Sequence, residues 1–121
     1  MKRNWITIGA VLGALAVGLG AFGAHALEER LTPEELAWWG TAASYHLAHA
    51  LAVVLAGVLA ARSRAGDVAG ACFALGVLLF SGSLYALALG APRWLGAITP
   101  LGGTAFLAGW ISLALAGRRA P

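Results

Sequence analysis

Apolar residues in this chain do not alternate with polar ones at the spacing of a half-buried helix or strand. They run on in four long stretches, with polar and charged residues gathered between them. About 20 such residues, rising ~1.5 Å each, cross the ~30 Å hydrocarbon core of a bilayer as a helix. The pattern predicts spans over residues 5–27, 41–61, 68–90 and 97–117. The breaks EERLTPEEL, RSRAGD and GAPRW are short. Short breaks join antiparallel neighbours, so the expected fold is an all-α membrane protein. It is one integral membrane domain over residues 1–121, an antiparallel four-transmembrane-helix bundle. In the first break, Thr32-Pro33-Glu34-Glu35 reads as an N-cap, a proline at the first helical position and acids that complement the helix dipole. Leu36, Ala37, Trp38 and Trp39 follow, which predicts a short interfacial helix over 33–39 with tryptophans at headgroup level.

At 100° per residue, Ala42, His46, His49, Ala50, Gly57 and Ala60 share one side of the second span. Leu47, Leu51, Val54, Leu55 and Val58 share the other, with Val53 an exception. Small residues admit a neighbouring helix and leucines suit lipid, so the histidines should point inward. The first span has two small stripes, one from Gly9 to Ala24 and one from Thr7 to His25. Two such faces predict a central helix packed on both sides. In the third span Gly70, Ala74, Ser81, Tyr85 and Ala88 share a face. Thr99-Pro100 reads as a cap and first turn for the fourth, with Gly103, Phe106 and Trp110 below it on one side.

Composition strengthens the membrane assignment. Of 121 residues 60% are apolar and 11% charged, far from the roughly 25% charged of a soluble domain. A chain this short cannot hide that surplus in its own core. The basic residues fall at helix ends and form no stripe, so no nucleic-acid partner is expected; the lipid bilayer is. Lys2, Arg3, Arg62, Arg64, Arg118 and Arg119 lie on one side of the bundle, and Arg30 and Arg93 on the other. That asymmetry predicts both termini in the cytoplasm of a bacterial cell, with the chain in the inner membrane. The start of the chain imitates a signal peptide, ending in Ala24-His25-Ala26, but its apolar run is longer than a signal core and is expected to be retained. Cys72 is the one cysteine and is expected to pack as a small hydrophobe.

Polar residues gather in the outer half of the spans. His49 lies ~12 Å below the start of its helix, and Ser81 and Ser83 lie ~10–14 Å below Gly90. Tyr45, His46, Tyr85, Thr99 and Thr104 fall at or above this level, and His25 at the outer mouth. The inner halves hold almost nothing polar. These groups either line a pocket or bond one another and brace the bundle. His25, His46, His49, Tyr45, Ser81, Tyr85 and Thr99 are the candidate ligand-binding set. If a metal binds, His46 and His49 at i, i+3 are its ligands, with His25 as a third. Haem is disfavoured, because ring neighbours on one helix cannot approach iron from opposite sides. A serine near an imidazole would be the start of an intramembrane hydrolase, but no third member or oxyanion hole is visible. The sequence requires no cofactor.

GAFGAHAL (20–27), YHLAHALAV (45–53), LFSGSLYALAL (79–89) and ITPLGGTAFLAGW (98–110) together resemble the small integral-membrane family known as domain of unknown function 423, or UPF0382, whose eukaryotic relatives are called transmembrane protein 256. The resemblance covers nearly the whole chain. It implies a bacterial inner-membrane protein with several spans and implies no reaction. The expected function is that of a binding or accessory membrane protein, possible as a homo-oligomer or in a larger membrane complex. The alternatives are a small solute or ion transporter and, less favoured, an intramembrane enzyme.

Overall fold

The computed structural model describes residues 4–118. Lys2, Arg3 and Arg119, which enter the charge asymmetry, lie outside them. Four helices are long and apolar enough to cross a membrane: α1 (Trp5–His25), α2 (Pro33–Ala60), α3 (Arg64–Ala88) and α4 (Thr99–Arg118). They follow one another through short turns and run alternately up and down. Leu78 and Leu107 are each 66% exposed on the outside of the bundle, a surface that only acyl chains can cover.

The helix ends follow local chemistry. The Asn4 side chain accepts from the Thr7 N–H and starts α1. Thr32 and Glu35 form the reciprocal capping box at the start of α2, with Pro33 in the first turn. Ser63 caps α3 through the Ala65 N–H. Gly90, with φ 99°, ends α3: the Ala91 N–H reaches the Ala86 carbonyl and the Gly90 N–H the Leu87 carbonyl. A 3₁₀ turn over Arg93–Ala97 then leads into α4.

Three expectations are corrected. The 33–39 stretch is helical, but it is no separate interfacial helix; it runs unbroken into the second span. Gly40 stands at the junction as a helix breaker, at roughly 1 kcal/mol, and the helix continues through it. Second, Trp39 does not face outward to headgroups. It is buried with Leu27 and Ala88 in an outer apolar cluster. Third, α1 is not central. It packs on α2 and touches α3 lightly, and its second small stripe, Thr7, Ala14, Gly18, Ala21 and His25, is exposed. The central helix is α2, and α3 joins it to α4.

Two indoles pin the peripheral α1. At its inner end the Trp5 N–H donates to Asp67 at the start of α3, 2.6 Å away. At its outer end the Trp39 N–H donates to the Leu19 carbonyl, 2.8 Å away. The second contact exists because residue 23 is glycine; a Cβ there would sit on the Trp39 ring. Between the pins, Gly9 lets α1 close on the Ala50 and Val54 backbone. The inner core gathers Trp5, Val53, Ala56, Phe73, Val77 and Phe106. Phe73 and Phe106 lie where Gly109 and Gly76 leave room on the facing helix. Burial inside lipid gains no water-driven free energy, so such close packing and the hydrogen bonds carry the fold.

The sequence pattern did not predict the π turn over Val77–Ser81 in the middle of α3. The Gly82 N–H reaches five residues back to the Val77 carbonyl. The turn brings the Phe80 backbone onto Gly102 of α4, where no Cβ could fit. Gly102→Ala is therefore expected to cost about 1–3 kcal/mol and to lower the melting midpoint of the detergent-solubilised protein. Gly18→Ala, whose added carbon meets nothing within 4 Å, is expected to leave that midpoint unchanged or slightly higher.

Candidate functional site

The inward face of α2 presents His46 to α3 and His49 to α4. Both rings are buried, at 4% and 6% exposure, so neither is turned to lipid. Their surroundings differ in one decisive respect. His49 Nδ1 lies 2.7 Å from the Tyr45 carbonyl one turn back. A carbonyl only accepts, so Nδ1 carries the proton. Nε2 is then bare and accepts the Trp110 N–H at 3.1 Å. The Phe106 ring stacks on the imidazole at 3.6 Å between centroids, with 12° between planes. His49 is thus held as one neutral tautomer with both nitrogens engaged.

His46 Nδ1 lies 3.0 Å from the Tyr85 hydroxyl. Its Nε2 is buried and has no hydrogen-bond partner, the one such side-chain atom found among the described residues. The Leu12 carbonyl of α1 is close enough to act on the ring electrostatically, but not in hydrogen-bonding geometry. Either direction of the Tyr85 bond leaves Nε2 unmatched, as an N–H without acceptor or a lone pair without donor. The Tyr85 ring itself packs against Trp39, 4.6 Å between centroids.

The hydroxyls serve mostly as braces. Ser81, fully buried at the end of the π turn, donates to the Ala42 carbonyl of α2 at 2.8 Å. Ser83 donates to the Phe80 carbonyl or to the Thr99 hydroxyl, both within reach. Thr99 was expected to cap α4; its hydroxyl turns instead to Ser83 and ties α4 to α3. Thr104 donates to the Pro100 carbonyl of its own helix. No serine hydrogen-bonds an imidazole among the described residues, so the contact on which a hydrolase would be built is not made. Tyr45 is 45% exposed and stacks over His49 and Phe80 from the lipid side.

His25 does not join the other histidines. Gly23 of α1 stands level with Trp39, so the end of α1 lies at least seven residues of α2, ~10 Å, above His46. Its side chain is exposed. No group of three His, Cys, Asp or Glu side chains able to hold a metal is found among the described residues, which corrects the three-histidine arrangement. The structure thus pairs His46 with Tyr85 of α3, ties Ser81 to the Ala42 carbonyl one turn before His46, and sets His49 against the carbonyl and ring of Tyr45. Sequence reasoning missed Trp110 and Phe106 as partners of His49. They were legible as a stripe on α4, but nothing in the sequence says that the indole N–H aims at an imidazole. Asp67 was read as part of a charged turn, whereas it lies in the first turn of α3 and holds Trp5.

A cleft of about 380 Å³ enters between α1 and α2 from the outer side, past Gly20, Gly23, Glu28 and Gly40. Its deepest residue on α2, Ala43, lies one helical turn above His46. The arrangement can accept or donate one hydrogen bond at His46 Nε2, beside a tyrosine hydroxyl. It offers no second free nitrogen for chelation unless the Trp110–His49 bond breaks. Trp110→Phe removes the donor to His49 Nε2 and is expected to cost about 1 kcal/mol of bundle stability. Nitrogen NMR of the imidazoles should show His49 as the Nδ1–H tautomer both in the native chain and in Trp110→Phe, because the Tyr45 carbonyl holds that proton, with only the Nε2 resonance shifted by the loss of its indole donor.

The sequence comparisons agree with the fold. The family model described as "Protein of unknown function (DUF423)" matches residues 19–103. The chain is 47% identical to the UPF0382 membrane protein YwdK of Bacillus subtilis, over 94% of this chain and 95% of that one. It is 44% identical to a UPF0382 membrane protein of Staphylococcus haemolyticus, over 92% of each. With the UPF0382 inner membrane protein YgdD of Escherichia coli the identity is 40%, over 90% of this chain and 85% of that one. No solved structure matches. A family match over most of the chain, near-complete relatives and four apolar helices lead to one statement: this chain is a membrane protein of the DUF423 (UPF0382) family.

Proposed function

We propose that the chain is a binding or accessory protein of the bacterial inner membrane, with its site at His46 in the outer half of the bundle. One observation carries this reading: His46 Nε2 is buried and unpartnered, while the neighbouring His49 has both nitrogens engaged. An orphaned buried polar atom costs about 1–3 kcal/mol. A small molecule with a single hydrogen-bonding group, such as a quinone-like or lipid carbonyl, offsets that cost on binding. The α1–α2 cleft above Ala43 gives its approach.

In the same reading both termini face the cytoplasm, since Arg62, Arg64 and Arg118 share one end of the bundle and Arg30 and Arg93 the other. Self-association, or docking in a larger membrane complex, would use the exposed small stripe of α1.

Native mass spectrometry of the untagged protein tests the site and the subunit count together. A nonprotein species is expected to co-purify with the native chain and with His49→Phe if that variant folds, and to be lost in His46→Phe while the bundle stays helical. No co-purifying species other than phospholipid from any preparation, or such a species retained by His46→Phe, would refute the site. Orientation is tested in a Cys72→Ala background. A cysteine at Glu28 should react with an impermeant maleimide in intact spheroplasts, and one at Arg62 only after lysis.

A further inference from the structure

We propose that the outer end of the bundle holds a membrane phospholipid whose headgroup joins a phosphate to a primary ammonium. It would lie between the start of α2 and the α3–α4 connection, away from His46 and independent of it. Two clefts meet there and share Trp38, Leu87 and Arg93. The upper one, about 630 Å³, opens between Thr32, Glu34 and Gly90. The lower one, about 370 Å³, continues past Leu84 and Pro100. Leu84 lies six residues before Gly90, ~9 Å deeper along α3, so the cleft continues from the charged mouth past Leu84, Leu87 and Pro100 toward the hydrocarbon. A charged head above a pair of chains has that shape.

The charges select the head. Arg93 is exposed and makes no hydrogen bond or ion pair with the described residues. Glu35 is committed to the capping box with Thr32, whereas Glu34, one residue earlier, is exposed and uncommitted. The cleft therefore offers one guanidinium and one carboxylate without partners. A guanidinium takes a phosphate in a two-pronged geometry that an ammonium side chain cannot match. The carboxylate takes a cation, and the face of Trp38 adds to that attraction. A purely anionic head would satisfy Arg93 and meet repulsion from Glu34. A quaternary ammonium has no N–H to give the carboxylate; a primary ammonium has three. The site sits at the helix ends, at headgroup depth, so a bilayer lipid reaches it without leaving its leaflet.

The test loads the full chain into nanodiscs with equal amounts of phosphatidylethanolamine, phosphatidylcholine and phosphatidylglycerol of matched chains. The lipids retained on release are read by native mass spectrometry. The ethanolamine lipid is expected to be retained about three-fold over the other two, as fits a surface-exposed charge pair. Arg93→Ala should lower retention of all three. Glu34→Gln should remove the ethanolamine preference alone, and Glu34→Asp should keep it. Both positions are exposed, and circular dichroism verifies that the variants stay helical. Soluble glycerophosphoethanolamine lacks chains for the lower slot and should not compete. Equal retention of the three lipids by the native chain would overturn the proposal. So would an ethanolamine preference that survives Glu34→Gln, or competition by the soluble head as strong as that of the lipid.

Discussion

In hydrocarbon a side-chain N–H or O–H has no water to turn to, and the acceptors at hand are the backbone carbonyls of the helices themselves. Each carbonyl has two lone pairs, one of which the helix already uses. This bundle repeatedly uses the other. Trp39 donates to Leu19, His49 to Tyr45, Ser81 to Ala42 and Thr104 to Pro100. Two of these bonds cross between helices and fix which faces meet. Trp39 sets α2 on α1, and Ser81 sets α3 on α2. Such bonds require close approach, and close approach requires glycine or alanine at the crossing, as Gly23 shows under Trp39.

The same constraint explains why the outer polar layer is not an open pocket. The serines and His49 are satisfied by the protein, and the aromatic rings of Phe80, Phe106 and Trp110 fill the space around them. A braced layer of this kind orders the bundle without offering a ligand anything. His46 is the departure from it. Its Nδ1 is matched by Tyr85, yet its Nε2 faces α1, where the Leu12 carbonyl acts on the ring without meeting hydrogen-bond geometry. The orphan lies on the seam with α1, the helix that packs almost wholly on α2 and touches α3 lightly.

The outer mouth has a different logic. Water is present there, so the uncommitted Arg93 and Glu34 cost little when empty. They serve by selectivity rather than by relieving a buried penalty. In a chain of 11% charged residues, Arg93, Glu34 and Glu35 share a single cleft at this rim.

The sequence by itself determined the four spans, the capping box at Thr32 and Glu35, the inward side of α2 and the gathering of the polar residues toward one end of the spans. Those features depend on hydrophobic run length, local hydrogen bonds and helical period, all of which act within a single segment. Only the tertiary structure decided that α2 rather than α1 is central, that helix continues through Gly40, that a π turn carries Ser81 to Ala42, and that His25 stands apart from His46 and His49. It also decided which histidine is satisfied. The rings at 46 and 49 are chemically alike and lie on one face of one helix. Their difference rests on whether an indole from α4 or a helix carbonyl of α1 faces Nε2, and that is set by the packing of segments distant in the chain.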